Sequence, residues 1–90
     1  MRRILPAYPN PFNPSTTINY VLSVSSTITV EVFDIVGRKV TTLFSGKKNN
    51  GTHTISWNAS SQSSGVYLIK VKAENSSGSF TDIQKVTLIK

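Results

Sequence analysis

Residues able to carry chemistry are few in this chain and do not cluster. The single histidine, His53, precedes Ile55 and Trp57 at alternating positions, and the carboxylates are Glu31, Asp34, Glu74 and Asp82. Nucleophilic or acid–base catalysis needs a nucleophile, a base and an orienting group within hydrogen-bond reach. One histidine with no second base beside it does not supply that trio. The four acids fall on different predicted elements, without the spacing of a calcium loop or of a glycosidase pair. The absence of cysteine removes disulfides, thiolate zinc sites and cysteine nucleophiles together. The expectation is therefore no catalytic residue, no metal site and no cofactor, in a domain that is not itself an enzyme.

Binding chemistry has more to work with. Exposed rings on β-modules hold sugars, and Tyr8, Tyr20, Phe33, Trp57 and Tyr67 are the candidates. Alternation puts Tyr20, Trp57 and Tyr67 on apolar faces, which favours burial, and leaves Phe33 opposite Val32 as the ring expected to meet solvent. Ten Lys and Arg against four Asp and Glu give a net charge of +6, which favours anionic partners in general. The cations are dispersed rather than gathered in a tract or on a helix face, so nucleic-acid binding is not expected. Asn50-Gly51-Thr52, Asn58-Ala59-Ser60 and Asn75-Ser76-Ser77 match the glycosylation pattern, as chance allows in so Asn- and Ser-rich a chain.

The elements that must position these residues read as strands. Ninety residues suit one domain with one modest core. No apolar run reaches the ~18 residues of a membrane span, and the N-terminus lacks the apolar stretch of a signal peptide. From Thr17 the period is two, with Ile18, Tyr20 and Leu22 inward; it resumes with Ile28, Val30 and Val32. Asp34 to Arg38 breaks the period: Asp34 can bond backbone two residues on and Gly37 can take positive φ, which predicts a tight hairpin turn. Val40 and Leu43 are core candidates spaced by three, reconciled with a sheet by a bulge or an edge position. Asn50-Gly51 is the strongest short-range hairpin signal, returning into a strand with Ile55 and Trp57 in the core. Asn58 to Ser64 predicts a crossover loop, and Gly65 a turn position with positive φ. Tyr67, Ile69 and Val71 then line the inward face of a central strand, and Val86 and Leu88 that of the closing one.

About seven short strands, without helical periodicity, indicate an antiparallel β-sandwich of immunoglobulin-like or fibronectin III-like topology. Ahead of them lies Tyr8-Pro9-Asn10-Pro11-Phe12-Asn13-Pro14. Its prolines fix φ and exclude helix, so a stiff strap is expected to lay Tyr8 and Phe12 onto the sandwich.

The order of motifs is informative. Tyr8-Pro-Asn-Pro-Phe-Asn-Pro-Ser-Thr-Thr-Ile18, Val30-Glu-Val-Phe-Asp-Ile-Val-Gly-Arg-Lys-Val40, Gly51-Thr-His-Thr-Ile-Ser-Trp57, Ser64-Gly-Val-Tyr67 and Lys85-Val-Thr-Leu-Ile-Lys90 follow one another. Together they resemble the type A C-terminal sorting domain of the type IX (Por) secretion system, from about Leu5 to Lys90. Ile28 to Tyr67 is also similar to the immunoglobulin-like domain of the flagellar hook-capping protein. The resemblance implies a cleavable label on an N-terminal cargo, a secreted enzyme or adhesin of a Gram-negative bacterium. Such a label passes through the periplasm to the cell surface, where an outer-membrane translocon reads it. A surface sortase then removes it and attaches the cargo to anionic lipopolysaccharide.

On this reading residues 1–7 are a linker or expression remnant with an opening strand, residues 8–90 the sorting domain, and the cut falls at or before Arg3 to Ala7. The missing signal peptide would then reflect cargo omitted upstream. The segments expected to be read are Pro9, Asn10, Pro11, Phe12, Asn13 and Pro14 with Lys85, Val86, Thr87, Leu88, Ile89 and Lys90. Lysines on an edge strand equally serve to block edge-to-edge aggregation. The alternative is a non-catalytic immunoglobulin-like accessory module that binds carbohydrate or a surface partner through Phe33.

Overall fold

A computed structural model describes residues 3–90; the expected remnant at Met1 and Arg2 lies outside them. The strands are β1 (Arg3–Ile4), β2 (Ser15–Leu22), β3 (Ser26–Asp34), β4 (Lys39–Lys48), β5 (Gly51–Asn58), β6 (Gly65–Asn75) and β7 (Gly78–Leu88). They form a three-stranded sheet ordered β1-β2-β5 and a four-stranded sheet ordered β4-β3-β6-β7, antiparallel throughout. This is the all-β sandwich that the period-two runs predict. β4 pairs with β3 rather than β5, which separates it from the constant-type immunoglobulin arrangement, where the fourth strand joins the first sheet.

Burial follows the alternation. Ile18, Tyr20 and Leu22 from β2, Ile28, Val30 and Val32 from β3, Ile69 and Val71 from β6, and Val86 and Leu88 from β7 fill the space between the sheets. Burial also holds the Tyr20 hydroxyl above its ordinary pKa, since the phenolate is the form that loses most on leaving water. Trp57 brings β5 into this core with its ring edge against Tyr67, centroids 5.2 Å apart. The Tyr67 hydroxyl donates to the Ser63 carbonyl at 2.7 Å. That bond ties the crossover loop to the start of β6, in the manner of the tyrosine corner of immunoglobulin-like sandwiches.

Several expectations need correction. Asn50-Gly51 is not a hairpin: β4 and β5 lie in opposite sheets, so the dipeptide turns a corner between them. Gly51 keeps a positive φ of 130°, but β5 pairs with β2 and carries Trp57 into the core. Gly65 has the expected positive φ, 154°, but is the first residue of β6, opposite Leu88, rather than a turn residue. Val40, Leu43 and Ile55 are half-buried, packed against the core rather than within it. Val40 and Leu43 sit where β4 gains residues relative to β3, at register shifts beside Val32/Phe33 and Val30/Glu31. Bulges on an edge strand splay these side chains toward the rim.

The β3–β4 turn forms as its sequence dictates. Asp34 Oδ1 accepts from the Val36 N–H at 3.0 Å and the Arg38 N–H at 2.9 Å, Arg38 Nε donates to Oδ2 at 3.0 Å, and Gly37 has φ 93°. The Arg38 backbone bond, followed by that residue's guanidinium and the Val36 N–H, holds the Asp34 carboxyl below its ordinary value of 3.8. A depressed folded pKa means the turn's stabilisation is present above the unfolded value and is lost as pH falls through the lower folded one. In an NMR titration the Val36 and Arg38 amides should therefore move with a midpoint below 3.8, and Asp34→Asn should abolish that transition; a midpoint at or above 3.8 would contradict this. Ile69→Ala, at a fully buried site of a central strand, should cost about 2–5 kcal/mol in urea denaturation.

Candidate functional site: a strap clasped to the closing strand

Residues 5–14 connect β1 to β2 across one open side of the sandwich. Proline excludes helix from this stretch, and its backbone groups find partners on both sheets. Leu5 N–H donates to the Asn19 carbonyl, and Tyr8 and Thr17 exchange both of their backbone bonds, each at 2.9 Å. Further along, Phe12 forms a parallel bridge to Leu88: its N–H donates to the Thr87 carbonyl and its carbonyl accepts from the Ile89 N–H, both at 2.9 Å. The strap thus begins on the β2 sheet and ends on the β7 edge of the other.

Two side-chain amides complete the seam. Gln84 Nε2 donates to the Leu5 carbonyl and Gln84 Oε1 accepts from the Ala7 N–H, both at 2.7 Å. Asn10 Oδ1 accepts from the Thr87 N–H at 3.0 Å, and Asn10 Nδ2 donates to the Lys85 carbonyl at 3.1 Å. Each amide uses one donor and one acceptor: that of Asn10 takes the place of a peptide group of the strand that β7 lacks on that side, and that of Gln84 reaches from β7 to the backbone of the strap. Thr16 Oγ1 donates to the Pro9 carbonyl at 2.8 Å, and the Ala59 N–H to the Pro14 carbonyl at 2.8 Å, which fixes the C-terminal end of the strap.

The two rings of the strap part company. Phe12 is 2% exposed, its centroid 5.5 Å from that of Trp57. Phe12, Trp57 and Tyr67 thereby join strap, β5 and β6 in one aromatic row. Burial of a phenylalanine is worth about 1.5–3 kcal/mol. Tyr8, expected to pack likewise, is instead 78% exposed. Its backbone bridge to Thr17 turns the neighbouring Ala7 inward and Tyr8 outward, and no sequence period operates in so proline-rich a run to foretell this.

The remaining candidates divide by face. Pro9, Asn10, Pro11, Asn13 and Pro14 are exposed, as are Lys85, Ile89 and Lys90; Thr87 is half-buried, and Val86 and Leu88 are core residues. β7 ends at Leu88, so Ile89 and Lys90 leave the strand. Lys90 is held nonetheless, its N–H donating to Ser64 Oγ at 3.1 Å and its Nζ to the Ser60 carbonyl at 2.7 Å. The strap and the last strand, quoted separately in the sequence, are one hydrogen-bonded surface. Gln84 and Ala59, a fully buried residue in a loop read as polar, were missed; a lone glutamine on a strand carries no local signal of its distant partner.

Other candidate residues do not assemble. His53 Nε2–H donates to the Asn49 carbonyl at 2.7 Å and its ring lies against Tyr20, centroids 5.4 Å apart. Glu31 faces Lys39 at 3.6 Å and Glu74 faces Lys72 at 3.5 Å. Among the described residues, no three of His, Cys, Asp and Glu gather as metal ligands. Phe33 is half-buried with Lys70 Nζ 5.9 Å from its ring centroid, so it is not a bare platform.

No curated protein matches the chain. Among solved structures, the chain superposes on dimeric latent PorU from Porphyromonas gingivalis with a TM-score of 0.74 at 19% identity, covering 99% of this chain and 9% of that one. At that identity the likeness speaks for the sandwich fold, and the chain spans a small part of the longer protein. The sequence pattern of the secretion system C-terminal sorting domain matches residues 6–86, a span that holds the strap from Pro6 on, β2 to β6, and β7 as far as Val86. This chain belongs to the secretion system C-terminal sorting domain family.

Proposed function

We propose that this domain directs an N-terminal cargo protein through the type IX system to the cell surface, and that the translocon reads the clasped strap and tail together. The observation that carries the reading is the clasp itself, which joins Asn10 and Phe12 to Lys85, Thr87 and Ile89. β1 pairs with the far end of β2, Arg3 opposite Val21, whereas the clasp lies beyond the near end at Ser15. Cargo attached ahead of β1 would therefore leave from the pole opposite the tail, and the tail would stay open to a partner. Exposed Lys85 and Lys90 give that pole cationic groups, which suit a carboxylate-bearing protein surface.

Removal by a surface sortase, in transit from the periplasm, belongs to the same proposal, with anionic lipopolysaccharide as the acceptor that would receive the cargo. Of the cuts expected at or before Arg3 to Ala7, one within that stretch would require β1 to unpair and the Gln84 amide to release Leu5 and Ala7, whereas one ahead of Arg3 would not. For a cut within that stretch the domain would protect its own junction while folded. The accessory-module reading rested on Phe33, whose half-covered ring gives it little support.

Deleting Lys85–Lys90 would remove Val86 and Leu88 from the core, so a trapped reporter would report unfolding as readily as lost recognition. The cleaner test fuses residues 1–90 behind a periplasmic reporter in a type IX-competent strain and compares Lys85→Ala with Lys90→Ala, combined. Both side chains are exposed, so the variant should keep native circular dichroism and melting temperature. Surface reporter is expected to fall several-fold with accumulation in the periplasm; undiminished export would remove these lysines from recognition.

A further inference from the structure

The contacts between strap and β7 are those an added strand would make. Along the side of β7 away from β6, the Lys85 carbonyl, the Thr87 N–H and carbonyl, and the Ile89 N–H form a row of outward groups, and all are bonded to the strap. Only Phe12 meets them with its own backbone. The other two are met by the Asn10 side chain, an amide that imitates a peptide group without continuing as a ladder. No strand lies on that side of β7 in the sheet order. The edge is thus shaped for a strand and filled by something less than one.

We propose that Lys85–Ile89 is a strand-acceptor edge for an extended segment of a partner protein, and that the strap occupies it as an intramolecular placeholder. This deepens the sorting reading, on which the partner's identity rests, by giving the mode of contact. Main-chain bonds supply affinity in such strand addition, and pockets for alternate side chains supply specificity. Here the strap displays the code. The side chain at one position meets the backbone at Lys85 and Thr87, and the side chain two residues later enters the socket that Phe12 shares with Trp57. An incoming segment would therefore carry an amide side chain, able both to donate to the Lys85 carbonyl and to accept from the Thr87 N–H, then an aromatic or large apolar residue two positions on.

A lipid surface fits less well. Clusters of about 4–8 basic residues mark such sites, and this edge has two, Lys85 and Lys90, beside the exposed apolar Ile83 and Ile89. A second copy of the chain would bring another +6 charge to the same place.

The test uses the whole chain and a fluorophore-labelled peptide of the strap's own sequence, Tyr8 to Thr16, followed by anisotropy. In the native chain the tethered strap outcompetes the peptide. Asn10→Ala, at an exposed site, removes two of the strap's bonds, so the free-edge population rises and the apparent Kd should tighten about tenfold, or about 1.4 kcal/mol. Adding Thr87→Pro removes one outward N–H, a change that an edge strand tolerates, and should abolish that binding. Hydrogen exchange should show the Thr87 amide losing protection in Asn10→Ala while the Val71 amide of β6 stays protected. Equal affinity for native and Asn10→Ala chains, binding that survives Thr87→Pro, or unchanged Thr87 protection would overturn the proposal. None of these readouts involves export, so their failure leaves the sorting assignment standing, and failed export leaves the edge standing.

Discussion

A sandwich of two open sheets has two seams, and here the seam between β1 and β7 is closed by hydrogen bonds from a segment that cannot be a regular strand. Proline denies residues 9–14 a continuous row of N–H donors, so the strap cannot zip along β7 as a neighbour would. Side-chain amides stand in: Gln84 reaches out from β7 to Leu5 and Ala7, and Asn10 reaches in from the strap to Lys85 and Thr87. Edge strands with unpaired backbone invite association with other chains. The strap blunts this edge at the cost of a seam held by few contacts, and that compromise makes the edge available for use.

The aromatic row gives the seam its apolar anchor. Phe12 lies on Trp57 and Trp57 on Tyr67, so a ring from the strap, one from the first sheet and one from the second are in contact in series. Trp57 touches both neighbours, and the Tyr67 hydroxyl fixes the loop that carries Ala59, whose N–H in turn holds Pro14. Loss of packing at one member would be felt by strap, loop and tail together, because packed interiors transmit strain rather than absorb it.

Electrostatics divides along similar lines. Three of the four acids are ion-paired locally: Asp34 with Arg38, Glu31 with Lys39 and Glu74 with Lys72. These pairs are exposed and contribute little to stability. Among the described residues Lys85 and Lys90, near the clasp, take part in none of these pairs. In a chain without cysteine, the cationic tail and the imperfectly filled edge are the features the proposed recognition would use.

The sequence by itself determined the strands, the faces they bury and the turn at Asp34–Arg38, because each depends on neighbours one or two residues away. Alternation at Ile18, Tyr20 and Leu22 or at Tyr67, Ile69 and Val71 needs no knowledge of the partner strand. The order of motifs from Tyr8 to Lys90 carried the family for the same reason. Tertiary structure alone decided which strands pair, as at Asn50-Gly51, where a local turn signal serves a corner between sheets because β5 pairs with β2 and not with β4. It also decided that Tyr8 faces water and Phe12 the core, that Val40, Leu43 and Ile55 stop short of the interior, and that Gln84 and Asn10 join segments more than seventy residues apart. Hydrogen bonds of that reach arise only when packing has already placed the two ends side by side, so no local pattern can announce them.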